Sequence, residues 1–172
     1  MTQIAFLRKA DLPTNKQIQD TLQALGYDFK FLSSLDKTID EDGLECSIEG
    51  HETFFETYVE TAKNTLDDHE ANWIKPDLTN QDLAISFRWG ADAAAGACIG
   101  LITIALMDKC GALSYYMDDE MKYTREMLVA DTPQFLAALK EEKGALKRES
   151  NANKPASPPK ESFWSRLMSK LK

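Results

Sequence analysis

The sequence predicts an α+β fold: a single mixed β-sheet with helices packed mainly on one face and a buried central helix of small residues. Three observations lead to this class. The chain has 172 residues, of which 43% are hydrophobic, which suits one globular domain with a sizeable core. Apolar residues alternate in some segments and recur every three or four positions in others, so strands and helices are interspersed. Residues 93–107 form a run of fifteen residues without a charge, which is typical of a buried helix.

The first part of the chain shows a strand, a helix and two more strands. Residues 4–9 are predicted as a short apolar strand. Pro13 then opens a helix whose apolar positions recur at i, i+4 and i+7 until Gly26, where a left-handed residue can end it. Two strands follow over residues 29–35 and 44–48, joined by a polar turn.

Residues 51–66 are predicted as a helix, and residues 82–89 as the clearest strand. In the second segment apolar and polar residues alternate strictly, which is typical of a half-buried strand. In the first segment five apolar residues would share one helical face: Phe55, Tyr58, Val59, Ala62 and Leu66.

The uncharged segment 93–107 is predicted to be the central helix. Asp92 precedes it and can cap its first free backbone N–H groups, and Gly111 ends it. A membrane span needs about 20 apolar residues, so this segment is too short to cross a bilayer. Gly96 and Gly100 are expected to allow close packing, because no Gly-Lys-Ser/Thr motif follows to bind a nucleotide.

The remaining elements complete a globular domain over residues 1–149. A return strand is predicted over 112–117. It is followed by a pair of helices over 123–147, separated near Thr132 and Pro133 because proline disfavours a helix interior.

The C-terminal segment has a different composition from the rest of the chain. Residues 150–161 are predicted as a flexible, proline-rich linker and residues 162–172 as a short basic amphipathic helix. This helix could lie on an anionic membrane surface, dock on the acidic body or on a partner groove, or remain a disordered terminus. The residues that would make membrane or partner contacts are Phe163, Trp164, Arg166, Leu167, Lys170 and Leu171.

Composition argues against several classes of function. The net charge of −8 disfavours nucleic acid as a partner, because phosphate binding requires clustered lysine and arginine. The two histidines, His51 and His69, lack the spacing of a zinc motif, so we expect no metal and no cofactor. Three widely spaced cysteines and no long apolar leader favour a cytoplasmic protein, with the C-terminal helix able to reach the inner membrane.

One pair of residues could support enzyme chemistry. Cys46 and His51 could form a nucleophile and its general base. However, Cys46 takes an inward position of the predicted strand 44–48, where cysteine usually serves as a small apolar side chain. We therefore expect no enzyme.

Acidic residues are concentrated between positions 36 and 70. This stretch holds twelve Asp and Glu residues against only two lysines. Three of the glutamates, Glu52, Glu56 and Glu60, recur every four residues and would form one stripe on the predicted helix. The stripe is either a solvated surface that confers solubility or a docking surface for a basic partner. The candidate partner-binding residues are Glu45, Glu49, Glu52, Glu56 and Glu60, with Asp118, Asp119 and Glu120 as a second patch.

The segment DLAISFRWGAD, the small-residue helix after it and the glycine turn into LSYYMDD resemble small acidic α/β immunity proteins of bacterial toxin systems, polymorphic, contact-dependent or type VI. The resemblance implies a cytoplasmic protein that binds one cognate toxin and blocks its active site or its access to substrate. Toxins that act on nucleic acids or nucleotides are often basic, which suits the acidic stretch. The C-terminal segment is not part of this pattern and leaves a peripheral membrane or adaptor protein as the alternative.

Overall fold

A computed structural model describes the backbone of residues 1–152 and the side chains of residues 1–141. The strands are β1 (Thr2–Leu7), β2 (Phe29–Phe31), β3 (Leu44–Ile48), β4 (His51–Thr61), β5 (Leu83–Arg88), β6 (Leu113–Tyr116) and β7 (Met121–Tyr123). The helices are α1 (Asn15–Ala24), α2 (Ala62–Asp68), α3 (Ala93–Cys110) and α4 (Arg125–Ala152), and short 3₁₀ segments span Lys9–Asp11 and Asn72–Asp77.

The strands form one seven-stranded sheet in the order β2-β3-β4-β5-β1-β6-β7. The predicted α+β class and single sheet are thus confirmed. The sheet is antiparallel at every pairing in the described residues, whereas a mixed sheet was predicted. For β3 with β4 and for β6 with β7 the reason is a short turn, which only antiparallel neighbours allow.

The predicted helix over residues 51–66 is wrong, because residues 51–61 form the long strand β4. The turn before it has two central residues with positive φ, Glu49 at 51° and Gly50 at 72°, as a two-residue hairpin requires. The segment HETFFETYVET is also rich in aromatic and β-branched residues, which pack well on a pleated surface. Only its end is helical, because the Thr61 side chain accepts from the Asn64 N–H and caps α2.

Most helices pack on one face of the sheet, as predicted. Helices α1, α3 and α4 share the larger apolar core with inward residues of β1 to β5. Helix α2 and the 3₁₀ segment Asn72–Asp77 cover part of the other face, where Ile4, Phe6, Ala84 and Tyr115 form a smaller core.

Helix α3 is the central helix of the larger core. Its residues from Ala94 to Leu106 are all buried. Asp92 caps its start and Gly111 ends it with φ 64°, so both predicted boundaries are confirmed. Among the described residues it is the one helix long and apolar enough to span a membrane, with mean hydropathy 1.6, and 72% of it is buried inside the protein. Protein therefore encloses the middle of this helix, whereas Asp108 and Lys109 near its end are exposed.

Helix α4 is continuous where two helices were predicted, with Pro133 inside it. The Thr132 hydroxyl donates to the Leu128 carbonyl at 2.8 Å, one turn back along this helix. Residues Met1–Lys140 form one compact unit. The predicted linker over 150–161 begins in the last turn of α4. The rest of it, and the helix predicted over 162–172, lie outside the described residues.

Candidate functional site

The glutamates of the predicted stripe share one face of β4, although their element is a strand. Side chains alternate along a strand, so residues separated by an even number point the same way. Glu52, Phe54, Glu56 and Tyr58 therefore lie on the sheet face opposite α3, and all four are exposed. Phe54 is 55% exposed and Tyr58 38%. Four residues span about 13 Å along a strand, so the like charges repel less than on a helix.

Neighbouring strands extend this surface. Glu45 on β3 stands opposite Phe54, and Arg88 on β5 stands opposite Glu56. The Arg88 guanidinium lies 4.7 Å from the centre of the Tyr58 ring, and the Tyr58 hydroxyl donates to the Glu56 carboxylate at 2.9 Å. Arg88 and Glu56 therefore hold Tyr58 in place. Among the described residues, no cation makes a comparable contact with Glu45, Glu52 or Phe54.

The end of the Phe54 ring lies close to Gly43, in the loop before β3. A Cβ atom added at Gly43 would meet the Phe54 ring at 2.6 Å, and Gly43 has a positive φ of 96°. Shallow grooves of about 320 and 370 Å³ flank Phe54 and Glu56. The acidic residues Glu41 and Asp42 line the first of them. We call Glu45, Glu52, Phe54, Glu56 and Tyr58 the acidic-aromatic face.

Sequence reasoning missed the two aromatic members of this face. It assigned Tyr58 to the core of a helix and did not single out Phe54. The alternation in EGHETFFETYVET, preceded by a Glu-Gly turn, is the signal that could have found them.

The structure brings together only some of the predicted partner-binding residues. Glu45, Glu52 and Glu56 lie on the acidic-aromatic face, and Glu49 is exposed at the tip of the β3–β4 turn. Glu60 is half-buried at the far end of β4 and accepts from the Thr65 hydroxyl at 3.5 Å. Its carboxylate therefore contacts α2, and we do not count Glu60 among the residues of the exposed surface.

The second predicted patch is separate from the first. Asp118, Asp119 and Glu120 are exposed in the turn between β6 and β7. Strands β5 and β1 lie between β4, which carries the first patch, and the β6–β7 end of the sheet, so the two patches belong to different strands of the sheet. The predicted tail contacts, Phe163, Trp164, Arg166, Leu167, Lys170 and Leu171, lie outside the described residues, and their role stays a prediction.

Cys46 is buried against α3, as its position in the strand predicted. Its thiol is hydrogen-bonded to the Cys98 side chain, and this contact together with burial raises the pKa of Cys46 far above its ordinary value. A thiol held in its neutral form is a poor nucleophile. In the part of the chain that the structure describes, no group of three or more His, Cys, Asp or Glu residues is placed to hold a metal ion.

The fold and this surface together define an α+β protein with a single antiparallel sheet and an exposed acidic-aromatic face. In comparisons with protein-family models, curated proteins and solved structures, nothing matched the chain. The resemblance to immunity proteins therefore stays a prediction from the sequence.

Proposed function

We propose that this protein is a non-enzymatic protein-binding module whose acidic-aromatic face holds a basic protein partner. The observation that carries the proposal is the exposure of Phe54 and Tyr58 among Glu45, Glu52 and Glu56. Following the resemblance of the sequence, we propose further that the partner is a bacterial toxin, which this contact neutralises.

The two kinds of side chain would contribute different parts of the binding free energy. Large aromatic residues at the centre of an interface commonly supply most of the affinity when they enter a pocket of the partner. Carboxylates around them attract a basic surface, accelerate encounter and exclude acidic competitors. In this arrangement Phe54 is the central contact, and the glutamates select a partner rich in lysine and arginine.

The first test is affinity capture with charge-reversed bait. The full-length tagged protein, its Glu52→Lys/Glu56→Lys variant and a matched Asp20→Lys/Asp36→Lys variant are compared in lysate of the native bacterium. Asp20 lies on α1 and Asp36 on the loop that contacts the start of α1, so both belong to the opposite side of the sheet. Both variants change the net charge by the same amount.

We expect one stoichiometric basic partner on the unmodified bait and on the Asp20/Asp36 control. The Glu52/Glu56 variant should lose it, with affinity lower by about a hundredfold or more because attraction becomes repulsion. High salt should also release the partner. Equal capture by all three baits would show that the acidic-aromatic face is not the docking surface.

A further inference from the structure

A cavity of about 520 Å³ lies on the α3 side of the sheet, distinct from the acidic-aromatic face. Gln3 of β1, Tyr116 of β6 and Tyr123 of β7 line it from the sheet, and Gly96 and Gly100 from α3. Residues of α4 between Leu128 and Ala138 close its remaining side. Its volume falls within the roughly 300–1,000 Å³ range of small-molecule sites.

Three aromatic rings stand in sequence along this cavity. The rings of Trp89 and Tyr116 have centroids 6.2 Å apart at 51°. Those of Tyr116 and Tyr123 are 6.1 Å apart at 84°. Rings inclined to one another around a space present several π faces to one occupant, which is the arrangement that attracts an organic cation.

The charged groups beside these rings are predominantly acidic. Asp119 and Asp131 line the cavity, and among the side chains that the structure describes no lysine, arginine or histidine lines it. Met1 also lines the cavity, and its amino group lies 3.8 Å from Asp118 and donates to the Trp89 carbonyl. An occupant that carries a positive charge would therefore meet uncompensated carboxylates.

The two tyrosines remain neutral at physiological pH. Burial, with a hydrogen bond to Asp118, raises the pKa of Tyr116 to about 12. Burial, with the neighbouring Asp131 carboxylate, also raises the pKa of Tyr123. Neutral phenol rings keep the π faces that a cation contacts.

The indole N–H of Trp89 is a buried polar group that packing of the ring alone does not require. It has no hydrogen-bond partner in the described residues. A buried donor without a partner destabilises the folded protein. A phenylalanine would avoid that cost, whereas tryptophan has the side chain that binds cations most strongly.

We propose that this cavity binds a small organic cation, an ammonium or guanidinium group on a short apolar stem. Trp89, Tyr116 and Tyr123 contact the cation with their rings, and Asp119 and Asp131 supply the opposite charge. The cavity lies on the face of the sheet opposite to the acidic-aromatic face, and Met1 and Trp89 line both the cavity and the groove beside Phe54 and Glu56.

The test is isothermal titration calorimetry, which measures the dissociation constants of choline, agmatine and 3,3-dimethylbutan-1-ol for the full-length protein. The last compound has the shape of choline without its charge. We expect at least one cation to bind with a dissociation constant between micromolar and millimolar, and the neutral alcohol to bind at least about tenfold more weakly than choline. Equal binding of choline and the alcohol, or no binding by either cation, would overturn the proposal.

Two variants test the site with a matched control. Asp131→Asn removes a lining charge, Trp89→Phe removes the large ring and its unsatisfied donor, and Asp36→Asn removes an exposed charge elsewhere. We expect the first two to fold, as circular dichroism would confirm, and to weaken cation binding by about fivefold or more. Asp36→Asn should leave it unchanged. Unchanged affinity in both cavity variants would assign the binding to another place.

Discussion

At the scale of single residues, Asp92 joins local helix formation to the tertiary structure. One carboxylate oxygen accepts from the Ala94 N–H at 2.8 Å, and the other accepts from the Thr53 hydroxyl of β4. The same side chain thus starts α3 and fixes it beside the strand that carries the acidic-aromatic face.

Replacing Asp92 by alanine should lower the free energy of unfolding by about 1–2 kcal/mol, because a free N–H group of α3 loses its acceptor. Urea denaturation followed by circular dichroism measures this change. Asp36→Ala, at an exposed loop position, is the control and should change stability little. If both variants unfold at the same urea concentration, Asp92 does not stabilise the start of α3.

Replacing Phe54 should affect partner binding much more than it affects the stability of the fold. It is 55% exposed, so Phe54→Ala should lower stability by no more than about 1 kcal/mol. The affinity for the captured partner should fall by about tenfold to a hundredfold, because a central aromatic contact is removed.

Surface plasmon resonance against the captured partner measures this loss. The control is Leu25→Ala, since Leu25 is 44% exposed at the end of α1, away from the face. An undiminished affinity of Phe54→Ala would exclude Phe54 from the interface.

At the scale of elements, β4 shows how one sequence pattern can fit two structures. A spacing of four residues places Glu52, Glu56 and Glu60 on one side of a helix and equally on one side of a strand. Glu52 and Glu56 accordingly lie together on the exposed face of a strand instead of a helix, and Glu60 is half-buried beside α2. The hairpin turn before this segment and its pairing with β3 and β5 determine that it is a strand and not a helix.

The two glycines of α3 should respond differently to alanine. A Cβ at Gly96 would lie 2.6 Å from the Phe135 ring of α4, whereas a Cβ at Gly100 would lie 3.9 Å from the Thr132 hydroxyl oxygen. Gly96→Ala should destabilise the protein by about 1–3 kcal/mol, because the helices are overpacked. Gly100→Ala should be neutral or stabilise it by up to about 1 kcal/mol through better helix propensity.

Thermal unfolding of both variants measures this difference, and each glycine serves as the other's control. Equal melting temperatures would contradict the close approach of α4 to α3 at Gly96.

At the scale of the whole molecule, the net charge of −8 is distributed unevenly over the surface. The acidic-aromatic face and the β6–β7 turn hold acidic groups at opposite ends of the sheet. The first is open and aromatic, and the second adjoins the cavity through Asp119. One fold therefore offers two separate places that attract positive charge, one for a protein surface and one for a small molecule.

Association with the partner should depend strongly on salt. Raising the ionic strength shortens the Debye length from about 30 Å at 0.01 M to about 8 Å at 0.15 M, so steering by the acidic face weakens. We expect the association rate constant to fall by at least about tenfold over this range, while the dissociation rate changes much less. Stopped-flow mixing measures both rates, and an association rate that does not vary with salt would contradict electrostatic steering.

The sequence by itself determined the α+β class, the central helix with both of its ends, the inward position of Cys46 and the concentration of acidic residues. These features follow from local causes: an uncharged run, a cap, a glycine and the alternation within short segments. Only the tertiary structure decided that every described pairing is antiparallel and that Phe54 of β4 stands opposite Glu45 of β3. It alone brought Trp89, Tyr116 and Tyr123 around one cavity. Pairing and packing join residues far apart in the chain, and no local pattern records which distant segments will meet.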